Sequence, residues 1–339
     1  MPTTTAETAL RSGKAENKKN GQKKQKMKIV FMGTPAFAAS SLQKLIDEGY
    51  GIPLVVTQPD RRGNRNRMIL SEIKQLALEH GLEVAQPARI KKDPELIERI
   101  RKIGPDMIVV AAFGQILPAS VLEIPRLGCI NVHGSLLPRL RGASPMHAAI
   151  LEGLDESGIT IMKMAEGLDT GDMISKVRCR IKGMDFSEVS AVLADAGAGL
   201  LAKTIPSIAD GTAVYEAQDD SLATYAGMIK KTDGFTDFSE PAYMVERKIR
   251  AFSEWPACYS YTDGQQVKFY RAEVLDEAPD GAPGSVSSTD KNSYTINCGE
   301  GKLRVLEQQL QGKKRMSAGD FMRGHRLSAG DRFGPEEER

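Results

Sequence analysis

Asn131 and His133 stand two positions apart at the end of a short apolar run, Cys129–His133. In a strand, such a pair points to one face. Open α/β sheets bind ligands beyond the carboxyl ends of their parallel strands. An amide and an imidazole aimed at one point suit two tasks, stabilising a developing oxyanion and moving a proton. A lone strand-end histidine also serves as packing, so the pair by itself leaves both roles open. Of the four histidines, His80, His133, His147 and His325, only His133 has this setting. Downstream, Gly167-Leu168-Asp169-Thr170-Gly171-Asp172 forms a glycine-rich acidic loop. An aspartate from it, placed beside His133, would orient the ring, raise its pKa by charge pairing and help activate a water. An aspartic protease needs a second Asp-Thr-Gly, and no second one occurs in the chain.

Other spacings exclude chemistries. Gly33-Thr34-Pro35 lacks the G-x-G-x-x-G fingerprint, and Pro35 removes an N–H that a phosphate cradle would use. That disfavours a nicotinamide dehydrogenase. Cys129, Cys179, Cys258 and Cys298 are far apart and form no C-x-x-C pair, which predicts reduced thiols and neither a zinc site nor a redox dithiol. No other grouping suggests a metal. Pro59–Arg67 carries Arg61, Arg62, Arg65 and Arg67, a loop that either pairs with phosphates or is simply solvated.

These residues need elements to hold them. The 339 residues, 41% hydrophobic and 27% charged, suit two soluble domains. Net charge is +2, so any RNA affinity must come from local clusters of Lys and Arg. No apolar run reads as a membrane span. Residues 1–26, rich in Lys and poor in apolar side chains, are expected to be a disordered basic tail. From Lys28 the pattern alternates. Strands are predicted at 28–32, 52–57, 106–112, 129–133 and 158–164. Helices are predicted from Ala38 to Gly49, over 71–81, and from Asp93 as cap, with Pro94 first, to Gly104. This is an α/β pattern, a Rossmann-like, mostly parallel sheet covered on both faces. After about Asp210 the texture changes. A connection over 213–231 leads to one helix with Val245, Ile249 and Phe252 on a face. Short strand-like runs follow near 258–262, 266–274, 283–288, 293–298 and 301–309, which suggests a small β-barrel. The expected units are 27–212, a linker 213–231, and 232–334.

The order of motifs resembles the methionyl-tRNA formyltransferase family from about residue 27 to 333. Phe31-Met32-Gly33-Thr34-Pro35 is followed by Val56-Thr57-Gln58-Pro59-Asp60-Arg61 and Ala112-Phe113-Gly114-Gln115-Ile116-Leu117-Pro118. Then come Asn131-Val132-His133-Gly134-Ser135-Leu136-Leu137-Pro138, Gly167–Asp172, and later Ile249-Arg250-Ala251-Phe252 with Trp255-Pro256. The resemblance implies a formyltransferase catalytic domain followed by an oligonucleotide-binding-fold-like (OB-like) barrel that supports tRNA. It implies transfer of formyl from 10-formyltetrahydrofolate, without metal, to the methionine amine of initiator methionyl-tRNA. Asn131, His133 and Asp169 would be catalytic. His133 would be held protonated by Asp169. Phe113, Gly114, Ile116 and Leu117 would wall the pterin pocket, and Ser135, Leu136, Leu137 and Pro138 would hold the folate. Arg65 and Arg67 of the basic loop, here apparently shortened relative to many relatives, would meet the acceptor end. Lys230, Arg247, Lys248 and Arg250 would assist on the second domain. The implied setting is a cytoplasmic monomer. An amino-sugar nucleotide or glycinamide ribonucleotide is the alternative acceptor.

Overall fold

The computed structural model describes residues 27–62 and 68–335. The basic tail 1–26 and the loop residues Arg65 and Arg67 lie outside the described residues.

Seven strands build the first sheet: β1 (Lys28–Gly33), β2 (Gly51–Val56), β3 (Val84–Ala85), β4 (Met107–Ala111), β5 (Cys129–His133), β6 (Glu156–Lys163) and β7 (Met173–Arg180). Their order is β7-β6-β5-β4-β1-β2-β3. Pairings from β5 through β3 are parallel. The pairings of β6 with β5 and of β7 with β6 are antiparallel. The central strands are buried along their length, as expected for parallel strands covered on both faces. Helices α1 (Ala36–Asp47), α2 (Glu72–Glu79), α3 (Pro94–Ile103), α4 (Pro145–Leu151) and α5 (Phe186–Asp210) accompany the sheet. Ser71 caps α2 by accepting from Lys74 N–H. Asp93 caps α3 the same way, and Gly104 ends it in a left-handed conformation.

Strand β7 and the 25-residue α5 have no counterpart among the elements expected from sequence. By length and composition α5 could cross a membrane. Here it packs against α1, β6 and β7 and buries Val189, Leu193, Leu201, Ile205 and Ile208. A capping box of Asp185 and Glu188 starts it. Gly197 lets it lie close to β5, because a Cβ there would meet Val132 at 3.0 Å.

The second sheet is antiparallel, with β8 (Cys258–Thr262), β9 (Gln265–Leu275), β10 (Val286–Thr289), β11 (Tyr294–Asn297) and β12 (Lys302–Leu310) in the order β8-β9-β12-β11-β10. The terminal segment joins its two edges, since Gly334 pairs with Tyr261 on β8 and Arg332 with Ser285 beside β10. The edges therefore do not face solvent as open templates. Phe238, Phe269, Tyr294 and Phe333 fill the interior. Helix α6 (Ala242–Ala251) packs on β9 and on α4, so one helix belongs to both halves of the molecule.

Candidate active site

The carboxyl ends of β1, β4 and β5 open into a cavity of about 960 Å³. The site is built by loops that grip one another. Gln58 Nε2 donates to the Phe113 carbonyl at 2.9 Å, and Gln58 N–H donates to Thr34 Oγ1 at 3.3 Å. Three motifs thus meet at one corner. Gly114 has φ +74°, and a Cβ there would collide with the Gln58 amide. Gln115 accepts from Ile90 N–H and donates to the Pro87 carbonyl, which fixes the loop carrying Ile116 and Leu117.

Asn131, His133 and Asp169 converge on the cavity wall. His133 Nδ1 lies 3.6 Å from Asp169 Oδ1, and Asn131 Nδ2 lies 3.5 Å from the same oxygen. Asp169 Oδ2 accepts from Gly142 N–H at 2.9 Å. His133 Nε2 lies 3.1 Å from the Leu140 carbonyl. A carbonyl only accepts, so Nε2 carries a proton. Burial pushes the His133 pKa below its ordinary value, and this outweighs the opposing pull of the Asp169 charge and the Leu140 carbonyl. Burial thus opposes the charged ring that the resemblance implies, while Nδ1 faces the Asp169 carboxylate.

The expected folate residues divide. Phe113, Gly114, Ile116 and Leu117 line the cavity. Ser135, Leu136, Leu137 and Pro138 do not, because the chain turns behind β5 there. Ser135 Oγ donates to the Arg139 carbonyl, and Leu137 N–H donates to Thr160 Oγ1. Leu137 is buried against Met162 and Met173. This loop supports His133 from behind through Leu140.

Three of the four cations expected to meet RNA on the second half are engaged within the protein. Arg250 pairs with Glu246 through two nitrogens and donates to the Met184 carbonyl. Lys248 donates to the Phe235 carbonyl at 2.8 Å. Arg247 lies over the Tyr243 ring and reaches the Glu152 carbonyl at 3.4 Å. Arg247 and Arg250 therefore tie α6 to the first half. Lys230 is exposed. At the base of the basic loop, Asp60 is held by Lys74 and Gln86, and the Lys74 contact keeps its carboxyl below the usual range.

Sequence reasoning missed Met146, His147, Phe186, Met228 and Glu254, which also line the cavity. His147 stacks on Phe186 with ring centroids 4.0 Å apart. Burial lowers its pKa to about 4. Met228 and Glu254 come from beyond α5, so the cavity sits at the seam between the two sheets. No group of three or more His, Cys, Asp or Glu able to hold a metal occurs among the described residues.

Comparison with known proteins fits this architecture. Residues 27–205 match the formyl transferase family model, and residues 228–326 match the formyl transferase C-terminal domain. Fold and site together define a formyltransferase. A methionyl-tRNA formyltransferase of Lachnospira eligens is 46% identical over 316 residues, covering 91% of this chain and 100% of the relative. One of Geobacter metallireducens is 44% identical over 310 residues, covering 91% and 99%. The chain belongs to the methionyl-tRNA formyltransferase family. Among solved structures, the sugar 3N-formyl transferase WlaRD superposes with a TM-score of 0.62 at 20% identity, over 85% of this chain and 99% of that one. The methionyl-tRNA formyltransferase of Clostridium thermocellum gives 0.52 at 20% identity, over 74% and 94%. Both share the fold.

Proposed function

We propose that the chain transfers the formyl group of 10-formyltetrahydrofolate to the methionine amine of initiator methionyl-tRNA, with Asn131, His133 and Asp169 as the catalytic residues. The observation that carries this reading is their convergence on one wall of a large cavity, with His133 Nδ1 beside the Asp169 carboxylate. The amine attacks the formyl carbon, a C–N bond forms, and negative charge gathers on the formyl oxygen. The Asn131 amide has a second N–H beyond the one facing Asp169, and it stabilises that oxygen. His133 Nδ1 takes a proton from the attacking amine, and Asp169 stabilises the imidazolium so formed. The same proton passes to the folate nitrogen as its bond to the formyl carbon breaks.

The apolar residues Phe113 and Leu117 suit the flat pterin ring, with Ile116 at the mouth. For the RNA, Lys230 and the basic loop suit phosphate contacts, while Arg247, Lys248 and Arg250 are engaged within the protein. Four unpaired cysteines suit a reducing cytoplasm. The test is transfer of labelled formyl to methionyl-tRNA, with glycinamide ribonucleotide and an amino-sugar nucleotide in parallel. Labelling of the tRNA alone is expected. Labelling of a small acceptor instead would overturn the acceptor and keep the chemistry.

A further inference from the structure

The segment that leaves α5 and leads to the second sheet does not merely connect. It crosses the back of the catalytic corner and bonds to it repeatedly. Glu216 pairs with Met173. Gln218 Nε2 donates to the carbonyls of Asp169 at 2.8 Å and Gly171 at 2.7 Å. Gln218 Oε1 accepts from Arg141 Nε at 3.0 Å, and Arg141 Nη2 donates to Asp220 at 2.7 Å. Leu140 N–H donates to Thr224 Oγ1, and Tyr225–Ala226 forms a two-residue parallel pairing with Arg141–Gly142.

Most of these contacts land on or beside residues that touch the proposed catalytic groups. Leu140 supplies the carbonyl on His133 Nε2, and Gly142 supplies the N–H on Asp169 Oδ2. Asp169 itself sits at φ +52°, a left-handed conformation that a non-glycine residue holds only when its surroundings impose it. Gln218 supplies two donors on either side of that bend. Arg141 is 1% exposed and spends its guanidinium on this segment. An arginine is rarely buried unless its donors are used.

We propose that the segment Glu216–Ala226 is a strap that sets the geometry of the catalytic corner, and that Gln218 is its positioning residue, holding Asp169 at its working distance from His133. Gln218 acts through Asp169 and touches no reacting atom. This inference rests on the catalytic role proposed for Asp169.

Two substitutions separate positioning from simple docking. Gln218→Glu keeps the side-chain length and an oxygen for Arg141, now charge-assisted, so the strap stays docked. It removes both N–H donors and turns a carboxylate toward the carbonyls of Asp169 and Gly171. Gln218→Leu removes every polar contact. Both are compared with wild type and Asp169→Ala in single-turnover transfer of labelled formyl to methionyl-tRNA, with thermal melting alongside. Gln218→Glu is expected to melt within a few degrees of wild type. Its transfer rate is expected to fall about 10- to 100-fold, as a misplacement near 1 Å typically costs, with KM for the folate within about twofold. Asp169 is the carboxylate in contact with the His133 ring, and Glu72, Glu166, Asp195 and Glu254 line the same cavity. With Asp169 displaced, the pull that raises the His133 pKa weakens, so the acid limb of the rate moves to lower pH. A Gln218→Glu protein that transfers within threefold of wild type would overturn the strap's role. So would a loss matched by unfolding with the acid limb unmoved. If Asp169→Ala itself transfers normally, the catalytic assignment fails, whereas an inactive Asp169→Ala beside an active Gln218→Glu sinks only the positioning role.

Discussion

The two ends of the cavity are built on opposite plans. At the inner corner, His133 is held by the Leu140 carbonyl, Asp169 by Gly142 N–H and, through its own carbonyl, by Gln218. At the rim, Ile116, Leu168 and Met228 are 74%, 56% and 76% exposed although each is apolar. Apolar surface gathered at the mouth of one cavity fits a binding site. On the mechanism proposed above, the corner is preorganised for charge that develops during reaction, and its groups would raise kcat. On the same reading, the rim offers apolar contact area and would lower KM without touching the chemical step.

That contrast can be broken by substitution. The largest effect is expected at the corner. Asn131→Ala or Asp169→Ala should lower the single-turnover rate at least about a hundredfold, the usual order for losing a preorganised group, with little change in folate binding. At the rim, Ile116→Ser should raise KM for the folate by about tenfold, the order set by losing one apolar contact surface, and leave kcat within about twofold. Steady-state titration distinguishes the two, and a kcat loss at Ile116 would erase the distinction.

A smaller effect belongs to His147, between corner and seam. Its folded pKa, about 4, lies below the unfolded value near 6.5. The unfolded chain therefore takes up the proton first. Stability from this site is complete above pH 6.5 and declines as pH falls toward 4. The ring is only half-buried, so the loss by pH 5 is discounted to about 1 kcal/mol. His147→Leu should flatten that part of the stability curve, measured by urea unfolding at pH 7 and pH 5. The smallest effect separates the cations. Lys230→Ala should reduce the salt dependence of tRNA binding by about one phosphate contact. Arg250→Ala should instead lower the melting temperature by a few degrees, as expected for losing a partly buried bidentate pair, and leave the salt slope unchanged.

Much of this molecule is legible in its sequence, for identifiable reasons. Strands β4 and β5 and helix α3 show because burial on both faces writes continuous apolar runs and caps write Asp93 and Gly104. Asn131, His133 and Asp169 show because strand alternation and loop glycine are local signals. Helix α5 does not, since Ala196–Leu200 mixes glycine and alanine and Pro206 interrupts it. Its capping box Asp185–Glu188 and the row Val189, Leu193, Leu201 and Ile205 were the available signals. The place of Leu137 behind the sheet and the use of Arg250 as a strut depend on partners far along the chain, Met162 and Met184. The burial of His133 is the sharpest instance. A neighbouring carboxylate favours a charged ring, and only the fold shows that burial opposes it. Gln218 carries no motif at all and becomes visible only once Asp169 and Gly171 lie within reach of its amide.

The most direct test is single-turnover formyl transfer to methionyl-tRNA by purified His133→Ala, with its melting temperature measured on the same sample. A folded protein slowed at least about a hundredfold is the predicted result. A folded protein that transfers formyl at near the wild-type rate would contradict the assignment of His133, and with it the account of the corner.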